Sequence, residues 1–465
     1  MKMLKNNKKL ILLGLIFLTC CFNCSKNNIE KPYIMKIDNV ILRKSIFIRR
    51  FKYTNTFKNG EVTTNKMMDF LNRVYKPELL LVKAAYEKGL NQDKFFKSRM
   101  NQYEKNLISS AHPIFSQNII IQDNQLREFY KKKNKVYTLK VIKTLTYKSA
   151  DSLYQRAQSG KQLKLQKPDS KMPNSFPSYK IHKNITLGEK IHPKVSQNLL
   201  ENSEAKVLKP VETFPFWTVA LVKSERTKQL PPYSGYKEEL KKDYEPINRE
   251  TVIQQYLDQT KDSLNFKDHS QKFYKKIKNA FESKNNKGII NKRKFDQKVL
   301  KQPVFISSLD TIDLDEIITE YNLNATKTQP LLKTTEDVKA FFNTIANREL
   351  MFNDLIRNDI KFPEIITDKI VNKKYAILRA NFLKRISNNI EITDQEAQDY
   401  YFQNRDKYKG DFNNVKANIY RRIRTQKAEE KIAQIKSKIQ AKYGIKYNKK
   451  LIREIAEQLS KDNIK

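Results

Sequence analysis

The middle of the chain alternates between strand and helix patterns, whereas the flanking regions show long helical periodicity. Residues 137–145 form a strand-like apolar run, residues 150–157 carry a short helix pattern closed by Gly160, and residues 216–222 form a second strand-like run. Spacing of two residues indicates a strand, and spacing of three to four indicates a helix. The pattern predicts an α+β, mainly helical protein with a β-α-β module between helical regions.

The region before the module contains several local signals for element boundaries. Residues 33–37 and 40–42 predict a hairpin around Asp38-Asn39, residue types that tolerate positive φ in a tight turn. The next helices are expected to be capped at Thr63 or Thr64, kinked or restarted at Pro77, and closed at Gly89.

Two further helices precede the module. Asn91 is the expected cap of a helix over residues 92–110, and Asp123 is the expected cap of a helix in residues 121–130. Beyond the module, a helix is expected over residues 236–264, with one break at Pro246.

Residues 265–300 are rich in lysine and have little periodicity. Two interpretations remain open for them, a short strand and helix or a mobile linker. A long basic helix is expected over residues 415–442, with a final helix after Tyr447.

The second half of the chain repeats the first. Residues 121–130, IQDNQLREFY, correspond to residues 392–401, ITDQEAQDYY, at an offset of 271 positions, and Tyr137 corresponds to Tyr408 at the same offset. Self-similarity at a fixed offset is a strong architectural signal. Residues 305–314 match the opening hairpin and residues 350–356 match the helix face at 79–85. The second copy has no central module, so two helical units are predicted.

The N-terminus predicts a lipid anchor. Four lysines precede the apolar run 10–18, which is typical of a signal peptide. Leu18-Thr19-Cys20-Cys21 is similar to a bacterial lipobox, in which a leucine stands three residues before the lipid-modified cysteine. Cys21 fits that spacing, and Cys20 remains an alternative. An ordinary cleaved signal is the other interpretation. A diacylglyceryl-type anchor on a polar tether would hold the body at a membrane surface.

The composition is strongly basic, with 91 Lys and Arg against 50 Asp and Glu and a formal charge of +41. The lysines are spread along the chain, and no zinc-finger, RNP1-like or Walker motif is present. We therefore expect no nucleic-acid partner. No Cys/His/Asp cluster has metal-ligand spacing and no phosphate loop occurs, so no metal and no cofactor is expected.

Three segments together carry a family resemblance. They are the Asp-x-x-Leu-x-x-Phe-Tyr pattern that begins at Asp123, residues 149–153 with Gly160, and residues 207–213 with the strand 216–222. In this order they resemble the SurA/PrsA-type foldases, which carry a parvulin-type (rotamase, PpiC-like) peptidyl-prolyl isomerase domain between chaperone helices. The resemblance covers residues 33–274, and a version without the module covers the second half.

The resemblance also predicts where catalytic residues would stand. Active parvulins place one histidine on the first strand and one on the last, and these positions match Lys143 and Thr218 here, while Phe216 replaces a glycine. The four histidines of the chain lie elsewhere, at His112, His182, His192 and His269. His182 and His192 are expected in the long middle loop, either solvated or near a groove.

Isomerases need an apolar proline pocket and polar groups that favour the twisted amide. Without the histidine pair, the resemblance implies a parvulin-like domain that has lost catalysis, and an active isomerase remains the alternative. Trp217, the only tryptophan, is expected to be a core residue and not a ligand platform.

The resemblance thus implies a membrane-anchored extracytoplasmic chaperone that binds unfolded secreted or outer-membrane proteins, located on the periplasmic or outer-membrane side of a bacterial envelope. A basic surface lipoprotein that binds polyanions is the second alternative. The expected segments are a signal peptide (1–20), a tether (21–32), an N-terminal helical region (33–135), the parvulin-like domain (136–225), a helical return and linker (226–300) and the second helical unit (301–465).

Overall fold

A computed structural model describes residues 33–60, 62–163, 165, 176–284, 287–323 and 329–463. The described part is α+β and mainly helical, as the sequence predicted. It forms two compact units. Unit 1 contains the chain up to Asn91 together with the chain from Val371 onwards, and unit 2 contains Gln92–Ile370. The predicted segments give the order along the chain, and their boundaries stay predictions.

Strands and α-helices alternate in the middle of the described chain, whereas the described parts of residues 44–133 and 314–443 contain helices without strands. The described strands are β1 (Tyr33–Ile37), β2 (Val40–Arg43), β3 (Lys135–Thr144), β4 (Ser178–Ile185), β5 (Val211–Thr213), β6 (Phe216–Thr227), β7 (Lys267–Asp268), β8 (Phe281–Lys284), β9 (Lys287–Ile290), β10 (Pro303–Ile306), β11 (Thr311–Asp313) and β12 (Lys446–Tyr447). The described helices are α1 (Lys44–Phe51), α2 (Asn55–Lys58), α3 (Thr64–Phe70), α4 (Lys76–Glu87), α5 (Lys94–Ser110), α6 (Asp123–Lys133), α7 (Tyr147–Gln158), α8 (Pro193–Glu201), α9 (Tyr233–Ser263), α10 (Tyr274–Ala280), α11 (Gln297–Leu300), α12 (Leu314–Leu323), α13 (Thr335–Arg357), α14 (Glu364–Asn388), α15 (Asp394–Gln403), α16 (Phe412–Tyr443) and α17 (Lys449–Asn463).

Each unit contains a three-stranded antiparallel sheet that joins the two halves of the sequence. In unit 1, β1 lies between β2 and the C-terminal strand β12, with Met35 opposite Tyr447. In unit 2, β10 lies between β11 and β7, with Phe305 opposite Asp268. The hairpin of each half is therefore completed by a strand that follows the long helix of the other half.

The two sheets correspond residue by residue. Both hairpins have an irregularity after their first pair, between Tyr33 and Met35 in β1 and between Pro303 and Phe305 in β10, an offset of 270 positions. The backbone N–H of Asn448 donates to Ile34 in unit 1. The N–H of His269 donates to Val304 in the same way in unit 2. The predicted duplication is thus present as matching geometry.

The helices repeat the correspondence. Lys237 on α9 forms an ion pair with Asp123 on α6 at 2.6 Å. Lys416 on α16 forms the equivalent pair with Asp394 on α15 at 3.0 Å. In the second half α16 follows α15 closely, whereas in the first half β3–β6 and their helices intervene between α6 and α9. We call this intervening part the module (Lys135–Thr227).

One local difference between the halves explains a helical irregularity. Thr63 and Thr334 cap equivalent helices by accepting from Lys66 and Asp337, at an offset of 271 positions, whereas Glu78 and Arg348, further along the same helical stretches, form equivalent ion pairs at an offset of 270. The first half accommodates its extra residue in a single π-helical turn, Leu71–Tyr75, directly before α4. Pro77 lies in the first turn of α4, where its missing N–H is tolerated, which confirms the predicted restart.

The module is a four-stranded antiparallel sheet with strand order β4-β3-β6-β5. One face packs against α7 through a cluster that includes Ile142, Ala150 and Val219. The other face contributes to a larger core that also includes residues of α6, α8 and α9. This core contains Leu126, Phe129, Tyr137, Leu139, Val141, Ile185, Leu187, Val195, Leu199, Leu208, Ala220, Tyr236, Leu240 and Ile247. The module therefore shares its core with the helices on which it sits.

Several local expectations need correction. Pro246 does not break α9: the helix continues through it, and the next residue, Ile247, is buried. The caps of α5 and α6 are Asp93 and Gln122, not Asn91 and Asp123.

Residues 265–300 are not a mobile linker in their described part. They contain strands, helices and buried core side chains such as Phe273 and Ile277. The hairpin at residues 33–43 and the short hairpin beginning at Pro303 are confirmed.

Candidate functional site

Lys143 and Thr218 are direct partners across β3 and β6. Thr218 is buried, and its hydroxyl lies 2.7 Å from the hydroxyl of Thr213. Lys143 is exposed, and its Nζ lies 5.8 Å from the centroid of the Phe216 ring. The two positions that match the parvulin histidines therefore face each other on one side of the sheet.

Phe216 changes the character of this surface. Its ring stacks on Phe176, with centroids 5.1 Å apart. The Thr218 hydroxyl is already paired with Thr213, and Lys143 extends beside an aromatic ring. This face therefore presents an aromatic pair and a cation, and it has no histidine at the two matched positions.

His182 and His192 lie near the same face; His192 lies in a loop and is exposed, as expected, whereas His182 does not lie in a loop. His182 belongs to β4, and His192 caps α8 by accepting from Lys194 N–H. Partial burial lowers the pKa of His182, and the charges of Lys180 and Lys143 lower it further.

Desolvation also lowers the pKa of His192, although the residue is exposed, with Lys194 and Lys143 acting in the same direction and Glu250 against them. Both rings are thus kept neutral near pH 7, where they add no positive charge to the face.

The remaining histidines have structural positions. His112 is buried, accepts the Ile114 N–H at its Nδ1, and lies 3.2 Å from the Asp354 carboxylate through its Nε2. The Tyr256 hydroxyl contacts the same two groups, so the three side chains join α9 and α13 to the end of α5. His269 contributes its backbone N–H to the sheet of unit 2.

Trp217 lies where the module meets α13. It packs in the α7 cluster and meets Tyr147 edge-on, with ring centroids 4.9 Å apart. The Asp337 carboxylate accepts the Tyr147 N–H at 2.7 Å and the Thr334 N–H at 2.9 Å. Burial raises the pKa of Asp337, while these bonds and the Trp217 side chain stabilise its charged form. Trp217 is therefore partly buried and packs against the core of the module, and its expected core role stays a prediction.

A second attachment holds the module to α9. Lys133 is fully buried, and its Nζ donates to the Leu187 carbonyl at 2.6 Å and pairs with Asp243 at 2.7 Å. Gly188 has a φ of +85°, and a Cβ there would lie 2.1 Å from the Asp243 carbonyl oxygen. Only glycine allows this close approach of the loop to the helix.

Unit 1 contains a groove of about 400 Å³ that sequence reasoning missed. Its lining comes from β2, α1, α4 and the later part of α14. The lining residues are Ile41, Leu42, Ile46, Arg49, Arg50, Tyr53, Tyr75, Glu78, Leu79, Val82, Asn372, Tyr375, Ala376 and Arg379. Most of the floor is apolar, and Tyr53 at the rim is 78% exposed. The size lies in the range of natural ligand sites.

The charges of this groove are unbalanced. Glu78 pairs with Arg50 at 3.0 Å and with Arg379 at 2.5 Å, while Arg49 adds a further exposed cation. Three guanidinium groups therefore accompany one lining carboxylate. The excess favours an anionic group on whatever occupies the groove.

Two tyrosines provide neutral polar contacts in the same groove. Burial raises the pKa of Tyr75 and of Tyr375 to about 12, so both phenols stay protonated at neutral pH. The Tyr375 hydroxyl accepts the Ile41 N–H at 3.1 Å. Because β2 is an edge strand, that N–H is satisfied by a side chain and not by another strand.

Cys20 and Cys21, the proposed lipidation sites, lie outside the described residues. No helix in the described part of the chain combines the length and apolar character needed to cross a bilayer. Within the same ranges no cluster of three His, Cys, Asp or Glu side chains is arranged to hold a metal ion.

No family model matches the chain, and neither a curated protein nor a solved structure does. The resemblance carried by the motifs therefore stays a prediction.

Proposed function

We propose that the protein is a membrane-anchored extracytoplasmic chaperone that binds unfolded secreted or outer-membrane polypeptides. The parvulin-like domain predicted from the motifs would serve as a binding or spacer domain without strong catalysis. The observation that carries the proposal is the open groove of unit 1, with its apolar floor, its exposed Tyr53 and its excess of guanidinium groups.

The module supports the assignment without requiring catalysis. A histidine pair that acts in one polar network must lie on facing positions, and Lys143 and Thr218 do face each other across β3 and β6. Phe216 stacked on Phe176 gives the same face an aromatic surface suited to apolar client side chains. Loose contacts at the module and the groove together would give multivalent binding.

A comparison of two proteins tests the chaperone proposal. The first is the full chain without its signal sequence, and the second replaces residues 134–232 with residues 404–411, the direct connection between α15 and α16. We expect the full chain to suppress aggregation of a urea-unfolded outer-membrane protein at substoichiometric to equimolar ratios. Aggregation is followed by light scattering, with albumin at equal mass as the control. If the full chain lowers the scattering no more than albumin does, the proposal is rejected.

The variant without the module separates the two candidate binding surfaces. It removes the Lys143–Thr218 face while it keeps the residues of the unit 1 groove. Partial suppression by this variant is expected, because the groove remains. Since α6 and α9 lose their cover in this variant, circular dichroism must first show that its helices are retained.

The active isomerase is tested by a protease-coupled proline-peptide assay. The expected result is no acceleration beyond the uncatalysed exchange, which takes tens of seconds or longer. Clear acceleration that Lys143→Ala and Thr218→Val both reduce would replace the binding role with catalysis. Salt-sensitive binding to heparin without any effect on client aggregation would instead support the polyanion-binding lipoprotein.

A further inference from the structure

The duplication provides an internal comparison for the groove of unit 1. At the hairpin offset of 270 positions, Arg50 and Glu78 correspond to Glu320 and Arg348 in unit 2, so the predicted match of residues 79–85 with 350–356 moves by one residue. Arg50 pairs with Glu78, and Arg348 pairs with Glu320, so the same contact exists in both units with its charges reversed. Tyr375 likewise corresponds to Lys105, and Arg379 to Ser109.

In unit 2 these positions are filled by a closed ion-pair network. Lys105 is buried and lies 2.7 Å from Glu349, whose other oxygen lies 2.6 Å from Arg348. Glu349 occupies the position of Leu79 in the groove floor. Lys105 and Arg348 are thus matched by Glu349 and Glu320, and the Asp310 carboxylate lies 3.4 Å from the Lys105 Nζ as a third partner.

Unit 1 differs at each of these points. Leu79 replaces a carboxylate, Tyr375 replaces a lysine, and the guanidinium groups of Arg49, Arg50 and Arg379 have only Glu78 among the lining carboxylates. The cations of the unit 2 network are all matched by carboxylates, whereas the groove of unit 1 has an excess of guanidinium groups. The open groove and its unmatched guanidinium charge both point to an occupant that comes from outside.

The chemistry of the groove defines that occupant. The apolar floor fits an aromatic or aliphatic side chain, and the excess of guanidinium groups fits a carboxylate through bidentate hydrogen bonds. Because the Ile41 N–H of the edge strand β2 is already bonded to the Tyr375 hydroxyl, an occupant of the groove binds through its side chains. We propose that this groove binds extended segments of unfolded polypeptides in which an acidic residue stands next to a large apolar one.

This proposal rests on the chaperone function and names the segment that the chaperone would select. The test uses fluorescein-labelled dodecapeptides with a central Phe-Asp-Phe, Phe-Lys-Phe or Ser-Asp-Ser in a Gly-Ser background. Binding to the full chain without its signal sequence is measured by fluorescence anisotropy. We expect the Phe-Asp-Phe peptide to bind at least tenfold more tightly than either of the other two.

Two substitutions at exposed groove positions test the location. Arg49→Glu reverses a charge, and Ala376→Trp fills the space between α14 and the floor. Each is expected to weaken binding of the Phe-Asp-Phe peptide by at least fivefold. Arg421→Glu on the exposed face of α16 makes the same charge change outside the groove and is expected to leave affinity unchanged.

The outcomes distinguish this proposal from the chaperone function. Equal affinities for the three peptides, or equal effects of Arg49→Glu and Arg421→Glu, would overturn the groove assignment even if the protein suppresses aggregation. Groove-dependent binding of the Phe-Asp-Phe peptide by a protein that does not suppress aggregation would support the site and reject the chaperone. If Arg49→Glu fails to fold by circular dichroism, Ala376→Trp decides the assignment.

Discussion

The buried ion-pair network of unit 2 allows a quantitative test of its structural role. Glu349 is 1% exposed and accepts from both Lys105 and Arg348. Glu349→Leu installs the residue that stands at the equivalent position of the first half. In this variant Arg348 keeps Glu320 as its ion-pair partner. Lys105 keeps only the more distant Asp310 carboxylate, 3.4 Å from the Lys105 Nζ.

The expected cost follows from the burial of the lysine. Removing one partner of a buried ion pair usually costs about 3–5 kcal/mol, because the remaining charge stays without compensation. The Lys105→Tyr/Glu349→Leu double variant removes that charge and reproduces the pair found in unit 1. We expect it to recover about 1–3 kcal/mol relative to the sum of the single variants, a coupling typical of contacting residues.

Urea unfolding followed by Trp217 fluorescence measures this effect. The only tryptophan lies in unit 2, so its signal reports the unit that contains the network even if the two units unfold separately. Glu128→Leu is the matched control, since Glu128 pairs with Lys131 on the surface, with side chains 67% and 68% exposed. Its effect should stay within about 0.5 kcal/mol.

Two results would contradict the reasoning. A cost below about 1 kcal/mol for Glu349→Leu would place the pair among surface ion pairs, which contribute little. If the changes in unfolding free energy caused by Lys105→Tyr and Glu349→Leu simply add in the double variant, the two residues do not stabilise each other despite their short distance.

Two further changes test the attachment of the module. Gly188→Ala is expected to loosen the module from α9 and to increase amide hydrogen exchange in β4, because the added Cβ would overlap Asp243. Gly60→Ala is the control for backbone strain alone, since Gly60 has a φ of +74° and open space around it. Asp337→Asn is expected to change the pH dependence of unfolding monitored by Trp217. Because burial raises the folded pKa of Asp337 above 3.8, its contribution to stability is greatest at low pH and declines as the pH rises through that raised value. A difference between wild type and Asp337→Asn that stays constant from pH 3 to 7 would refute this.

Turns, helix caps and helix starts could be predicted from a few neighbouring residues. The Asp38-Asn39 turn, the Thr63 cap and the restart at Pro77 each depend on a few neighbouring residues, and the structure contains all three. Pro246 shows where such signals fail. The internal proline costs about 3 kcal/mol or more in a helix, but packing of the surrounding turns outweighs that preference.

The exchange of strands between the halves could not be predicted from local pattern. β7 and β12 have two residues each, which is too few for a periodic signal. Each follows a long helix, and the position of that helix determines which strand it pairs with. The groove was missed for a different reason. The groove is indicated only by differences between the two halves. The charges of the Arg50–Glu78 pair are reversed in the second half, and Leu79 stands in place of Glu349. These differences become visible only when the two halves are aligned at the hairpin offset of 270 positions.

The exchange also sets an order in which the two sheets can form. The sheet of unit 2 joins Asp268 to Phe305, whereas that of unit 1 joins Met35 to Tyr447 across nearly the whole chain. Because the entropy of loop closure grows with the logarithm of loop length, the longer closure costs about 2 kcal/mol more. During synthesis, β12 also emerges last. Unit 2, which has the closed ion-pair network, can therefore form before unit 1. The groove takes Tyr375 and Arg379 from the second half and its floor from the first, so it is complete only when both halves are present.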